Sequence, residues 1–250
     1  MFKGFYNLTS AMLTHQSNLN VVANNLVNVS TAGYKQDRYT ATTFDDVMYA
    51  RVGTNFSEGQ EIGRQSYIRA TSEIYTDYTQ GTMEPTGLSL DFGIVGDGFF
   101  AVQNPDGEVH YTRMGNFTLD DDGYLCLPGF GQVLGPDQNP IYLGTDKINC
   151  DKQGQIFYNE GGLIGRLGIY SFEDNGTLVH TDRGLFEGEG AELSQDCEIW
   201  GGYLERSNSD VVKQMTEMIT YQRALQSAAQ ISKMYDQLMS RAATDVGRMQ

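Results

Sequence analysis

LNVVANNLVNVSTAGYK, residues 19–35, contains both the end of a helix and the reason it ends. Leu19, Val22 and Leu26 follow one another at steps of three and four, and the same steps run backwards reach His15, Met12, Leu8 and Phe5. Alternating steps of three and four give a period of 3.5, the spacing of a coiled-coil seam; an ordinary amphipathic core helix reads almost alike. Ser30-Thr31-Ala32-Gly33 then places turn formers ahead of a glycine able to take positive φ, so the chain is expected to reverse there.

The other end of the chain has the same character. Ser207-Asn208-Ser209-Asp210 offers helix N-caps before Val211, Met215, Met218, Gln222, Leu225, Ala229 and Ser232, again at steps of four and three. Met239 rejoins this stripe, while Val212, Ile219, Ile231, Tyr235 and Leu238 widen it on one side. Residues 208–246 contain neither proline nor glycine, so a continuous helix there would be on the order of 55 Å long at ~1.5 Å per residue. That length overruns a compact domain.

Two long amphipathic helices at opposite ends of one chain are expected to pair as a coiled coil. One such pair leaves apolar flanks rich in Met, Ala and Gln that only other copies of the chain can bury. A head-to-tail contact that does not close gives a helical tube. The expected assembly surface comprises Phe5, Leu8, Met12, Leu19, Val22 and Leu26 on the first helix. On the second it comprises Val211, Met215, Met218, Gln222, Leu225 and Ala229. At the turn, Asn24, Asn25 and Asn28 either satisfy helix-terminal backbone groups or bond between subunits, Gly33 permits the reversal, and Tyr34 is available to pack on a neighbour.

Composition separates ends from centre. The formal charge is −15, yet residues 1–40 and 206–250 each carry +2, which leaves −19 between them. Of the 29 glycines only Gly4, Gly33 and Gly247 lie in the terminal stretches, and all five prolines lie between them. An acidic surface cannot neutralise phosphates, which argues against nucleic acid as a partner, and it is repelled by anionic lipid. No window is apolar enough for membrane insertion and the start has no signal-like apolar run, so no cleaved leader is expected. Cys126, Cys150 and Cys197 stand far apart with no histidine at metal-ligand spacing, and read as free, partly buried thiols.

The centre, residues 85–205, reads as a mainly antiparallel β-domain. Phe99–Gln103, Gly115–Leu119 and Leu167–Phe172 are short runs rich in aromatic and β-branched residues. Asn104-Pro105-Asp106-Gly107, Asp120-Asp121-Asp122-Gly123 and Glu173-Asp174-Asn175-Gly176 supply turns after them. Residues 35–84 are a connector ordered by assembly: Phe44, Val47 and Met48 suit a short helix that Gly53, Asn55, Gly59 and Gly63 would break, and 71–82 suits an extended chain. The expected organisation is therefore α+β, with 1–34 and 206–250 as one helical polymerisation domain.

Catalytic signals are weak. His15, His110 and His180 fall in separate predicted elements, and no nucleophile elbow, phosphate loop or zinc-protease motif occurs. Gly93 to Gly98 has crowded glycines without a following helix pattern, so it reads as a turn and not a dinucleotide site. Asn149 to Glu160 has the outline of a calcium loop but with Asn first and Gln fifth, amid β-like residues, so a hairpin turn is the stronger reading. No cofactor and no enzyme activity are expected; the rival reading is a secreted glycan-binding or glycan-cleaving β-domain with helical arms.

Three segments resemble one family. Residues 19–35 are similar to the N-terminal signature of the flagellar rod and hook proteins, an A-N-N-L-x-N-x-x-T-x-G-Y-K run. Gly202 to Val212 with Met215 to Ala224 resembles their C-terminal segment, and Gly96 to Val102 with Tyr111 to Phe117 their central β-domain. The resemblance implies terminal helices forming an inner tube, an outward β-domain, and export by the flagellar type III apparatus to an extracytoplasmic place in the basal body. Implied partners are copies of the chain and other rod or hook proteins. Size favours a rod subunit over a hook-type subunit, which carries extra outer β-domains.

Overall fold

A computed structural model describes residues 2–43, 47–51, 60–65, 69–159, 161–181, 184–194 and 197–247. The fold is α+β: a helix at each end and a central antiparallel β region. It divides into two compact units. One contains Met1–Leu26, Asp37–Tyr75 and Val211–Gln250; the other contains Val27–Gln36 and Thr76–Asp210.

In the first unit, helix α1 spans Phe2–Val27 and helix α2 spans Val211–Gly247. Two contacts fix their relative direction. The rings of His15 and Tyr221 lie 6.1 Å apart, and the Tyr235 hydroxyl sits over Gly4, where an added Cβ would come within 2.6 Å. Moving from residue 4 to 15 on α1 corresponds to moving from 235 back to 221 on α2, so these segments run antiparallel. On α2 Gln214 and Ala228 are buried, and Met218, Tyr221, Leu225, Ser232 and Tyr235 are half-buried between and beyond them at steps of three and four, with Glu217, Ala224 and Ala229 beside this stripe. Such spacing keeps one stripe facing one neighbour along a helix.

The stretch expected to be a connector is built of paired strands over its described residues. Asp37–Thr43 pairs with Arg69–Thr76, and inside that pair Val47–Arg51 runs antiparallel to Gln60–Gln65 with an irregularity at Tyr49/Ala50. Thr- and Tyr-rich alternation favours this, since β-branched and aromatic side chains fit a pleated surface. Val47 and Met48, which suggested a helix, lie in a strand; Phe44, Gly53, Asn55 and Gly59 lie outside the described residues.

The second unit holds the β core. Its large antiparallel sheet runs in the order Val179–His180, Leu185–Glu187, Val109–Thr112, Phe99–Gln103, Gly131–Val133, Leu125–Leu127, Thr118–Leu119, with Ile169–Ser171 also paired to Phe99–Gln103. The period of two explains why this sheet is covered on both faces. Phe100 and Val102 point into a cluster with Phe92, Leu125, Leu143 and Ile156, while Phe99 and Ala101 point into another with Tyr111, Tyr170 and Phe186.

Local expectations in this unit meet their outcomes one by one. Gly107 and Gly123 take positive φ at their turns. Of Gly115–Leu119 only Thr118–Leu119 is strand, because Gly115 lies flush against the backbone of Phe92 and its carbonyl accepts the Phe92 N–H at 3.0 Å. The Asn149 segment is a hairpin joining Ile148–Cys150 to Gln155–Tyr158, and the Asp151 carboxylate accepts the N–H groups of Gln153 and Gln155 at 3.0 and 2.9 Å. Glu160 lies outside the described residues.

All three cysteines are free and half-buried. Burial pushes the Cys150 thiol up to about 12, with the Asp151 charge adding to it. At pH 8 only roughly one Cys150 in ten thousand is thiolate, the nucleophilic form. Peptide mapping after brief iodoacetamide treatment at pH 8 is expected to find Cys150 unlabelled in the folded protein and fully labelled in denaturant.

Candidate functional site

The residues expected to build an assembly surface fall into three groups. Leu8, Met12, Leu19, Asn24, Leu26 and Asn28 are half-buried and Val22 is buried. On α2, Met218, Leu225 and Ala229 are half-buried, whereas Val211, Met215 and Gln222 are exposed, as is Phe5 on α1. Asn25, Gly33 and Tyr34 are buried.

Asn25 shows how the helix end is held. Its amide Nδ2 donates to the Asp37 carbonyl at 2.8 Å, and its Oδ1 accepts the Asp37 N–H at 2.9 Å. One side chain thereby satisfies both backbone groups of a buried residue, as a neighbouring strand would. Of the two roles weighed for this amide, the structure displays the local one. Further on, the Thr31 N–H donates to the Asn28 carbonyl at 3.1 Å, tightening the turn. The Tyr34 ring lies 5.6 Å from that of His180 within the second unit.

That same unit contains a buried charge cluster no sequence pattern announced. Lys35 Nζ donates to Glu205 Oε1 at 2.6 Å and to the Thr79 carbonyl at 2.9 Å; the two charged side chains are 1% and 0% exposed. Arg113 approaches Glu205 Oε2 with Nη1 at 3.4 Å, donates Nη2 to the Gly96 carbonyl at 2.7 Å, and stacks over Phe99 with 5.2 Å to the ring centroid. The Gly81 N–H donates to Glu205 Oε1 at 2.7 Å. Backbone bonds follow the charges: the Gly33 N–H donates to the Glu205 carbonyl at 2.7 Å. Asn208 accepts the Gln36 N–H at 2.8 Å and donates to the Asp77 carbonyl at 2.7 Å.

Glu205 is therefore the hub where the turn after α1, the strap 77–81, the end of strand Val109–Thr112 and the segment before α2 converge. Gly33 has φ +67°, and a Cβ there would stand 2.2 Å from the Arg113 carbonyl oxygen. Only glycine combines this backbone conformation with so close an approach. Burial pulls the Lys35 ammonium below the ordinary lysine value, and the nearby Arg113 charge adds to this against the attraction of Glu205. Such a cluster is a joint, not a reaction centre: its charges are buried and face one another, although the buried Arg113 Nε has no hydrogen-bond partner among the described residues. Lys35, Arg113 and Glu205 lie inside the segments that carry the family resemblance, but a pairing across 170 residues has no local signal.

Comparison with known proteins follows the same layout. Residues 5–35 match the family described as flagella basal body rod protein, residues 93–158 the flagellar hook protein FlgE/F/G D1 domain, and residues 201–245 the flagellar basal body rod FlgEFG protein C-terminal family. The flagellar basal-body rod protein FlgG of Buchnera aphidicola subsp. Acyrthosiphon pisum is 32% identical over 90% of this chain and 93% of its own length. FlgG of Bacillus subtilis is 31% identical over 96% and 97%, and the rod protein FlgF of Mesorhizobium japonicum 30% over 93% of each. The chain belongs to the flagellar basal-body rod protein family. Members are structural proteins, not enzymes, and no described helix is long and apolar enough to cross a membrane.

Proposed function

We propose that this chain is a structural subunit of the flagellar rod, which polymerises into the tubular shaft that transmits torque. Its place is the basal body, outside the cytoplasm, reached through the flagellar type III export apparatus. Its neighbours are copies of itself and other rod or hook proteins. α1 and α2 act as an antiparallel coiled coil, with the stripe through Gln214, Tyr221, Ala228 and Tyr235 as the α2 side of the seam.

The observation that carries this reading is the apolar surface that α2 leaves outside that stripe. Val212, Met215 and Ile219 are exposed near its start, and Ile231, Met234 and Leu238 near its end. Two such patches on one helix, separated by the exposed polar positions Gln222, Arg223, Gln226, Ser227 and Gln230, suit contacts with more than one neighbouring subunit.

Ile219→Asp and Leu238→Asp test it. Both positions are exposed in the single chain, so far-ultraviolet circular dichroism and the melting curve of the monomer should be unchanged. Burying a carboxylate in an apolar contact costs ~3 kcal/mol or more, so the concentration needed for filaments should rise about a hundredfold, measured by sedimentation and electron microscopy. Filaments at the unmutated concentration from both variants would remove α2 from the interface.

A further inference from the structure

We propose that Glu205 is a completion latch: the turn that follows α1 cannot seat on the β unit until the strand that precedes α2 is in place. The two ends of the unit thus lock together in one step. The argument starts from charge. Lys35 and Arg113 are 1% and 4% exposed, and both face the Glu205 carboxylate. Without that carboxylate the closed turn would bury two cations beside each other, which costs several kcal/mol per ion before their repulsion is counted. Lys35 bears the mark of both effects, since burial and the Arg113 charge each lower its proton affinity.

Chain order makes the latch directional. Glu205 lies on Tyr203–Glu205, which pairs with Met83–Pro85, directly after Glu198–Gly201 paired with Phe92–Val95. These pairings close loops of more than a hundred residues, late events because loop entropy must be met first. Three amides report on the latch: Gly33 and Gly81, which donate to Glu205, record closure of the cluster, and the Asp77 N–H, which donates to the Gln36 carbonyl at 2.9 Å, records seating of the turn on the strap with no acceptor from the last strand. Trp200, the only tryptophan of the chain, sits in Glu198–Gly201 with its ring 5.2 Å from Tyr203 and reports docking of the last strands. The meaning of the latch rests on the rod reading, because simultaneous locking presents both helices to a neighbour at once; its test does not, because refolding needs no polymer.

The full-length chain is refolded from denaturant while Trp200 fluorescence is followed and pulse-labelling hydrogen exchange reads the three amides. Their protection is expected in the Trp200 phase, and not before it. Protection of Asp77 ahead of Trp200 overturns the latch. In Glu205→Gln, exchange of the three amides should quicken about a hundredfold while amides of Phe99–Gln103 hold their protection, as expected when one partner of a buried pair is lost; unchanged exchange at the three amides overturns it. Should Glu205→Gln unfold the whole unit, the triple variant Lys35→Met, Arg113→Met, Glu205→Met decides. Recovery of the fold, with Asp77 protection now preceding the Trp200 phase, supports a charge latch; recovery with Asp77 still protected only in that phase, or a triple variant as unfolded as Glu205→Gln, shows the cluster to be packing alone and ends the proposal.

Discussion

Replacing Gly33 by alanine is expected to unfold the β unit or to cost it more than about 4 kcal/mol, a large share of the ~5–15 kcal/mol that holds a typical domain. Two effects add. The residue has φ +67°, and a side chain in that left-handed region costs ~1–2 kcal/mol. The larger effect is contact: the new methyl would lie 2.2 Å from the Arg113 carbonyl oxygen, 2.3 Å from its carbon and 2.6 Å from the Met114 nitrogen. All three are backbone atoms at the end of a core strand, so relief means moving the strand or expelling the turn. Gly107→Ala is the control, because Gly107 has φ +89° and nothing within 4 Å of an added Cβ. It should cost only the conformational ~1–2 kcal/mol. Urea unfolding followed by Trp200 fluorescence measures both. Equal losses in the two variants would mean that the turn does not seat against Arg113 as described.

Lys35→Met should destabilise the same unit by about 3–5 kcal/mol, the cost of stripping one partner from a buried ion pair. Methionine nearly matches the lysine stem, so packing changes little. The loss falls on Glu205, whose side chain is 0% exposed and keeps only the Gly81 N–H at 2.7 Å and Arg113 at 3.4 Å. An internal comparison sets the scale. Lys152 pairs with Glu198 at 3.1 Å, but the two side chains are 66% and 50% exposed. Lys152→Met should therefore change stability by under about 1 kcal/mol, as exposed pairs do. What counts is whether water can replace the lost partner. Denaturation midpoints of the two variants, measured side by side, check this, and a Lys35→Met midpoint as mild as that of Lys152→Met would sink the joint as a stability element.

Much of this protein was legible from local pattern. Helices at the ends follow from 3.5-residue periodicity without proline or glycine, and the turn at Gly33 follows from the one residue type that takes positive φ freely. Phe99–Gln103 was readable as a strand because its short aromatic and β-branched run and its Asn104 to Gly107 turn agree. Such signals are carried by residues within a few positions of one another, where backbone sterics act. The stretch 35–84 misled because its pattern is mixed, and its strands depend on partners such as Asp37–Thr43 with Arg69–Thr76, more than twenty residues apart.

The family followed from the sequence too, since three separate segments carried its signatures. The apolar stripe read on α2 divides into exposed positions such as Met215 and half-buried ones such as Met218 and Leu225, while contacts with α1 fall at Tyr221 and Tyr235. Hydrophobicity says that a residue gains from burial, not which neighbour will bury it. Sequence by itself determined the class of fold, the two long helices, the turn and the acidic β centre, because each is decided by short-range sterics or by composition. Only the tertiary structure decided that Lys35, Arg113 and Glu205 share one dry site, because a charge is tolerable there solely through partners that folding brings from opposite ends of the chain.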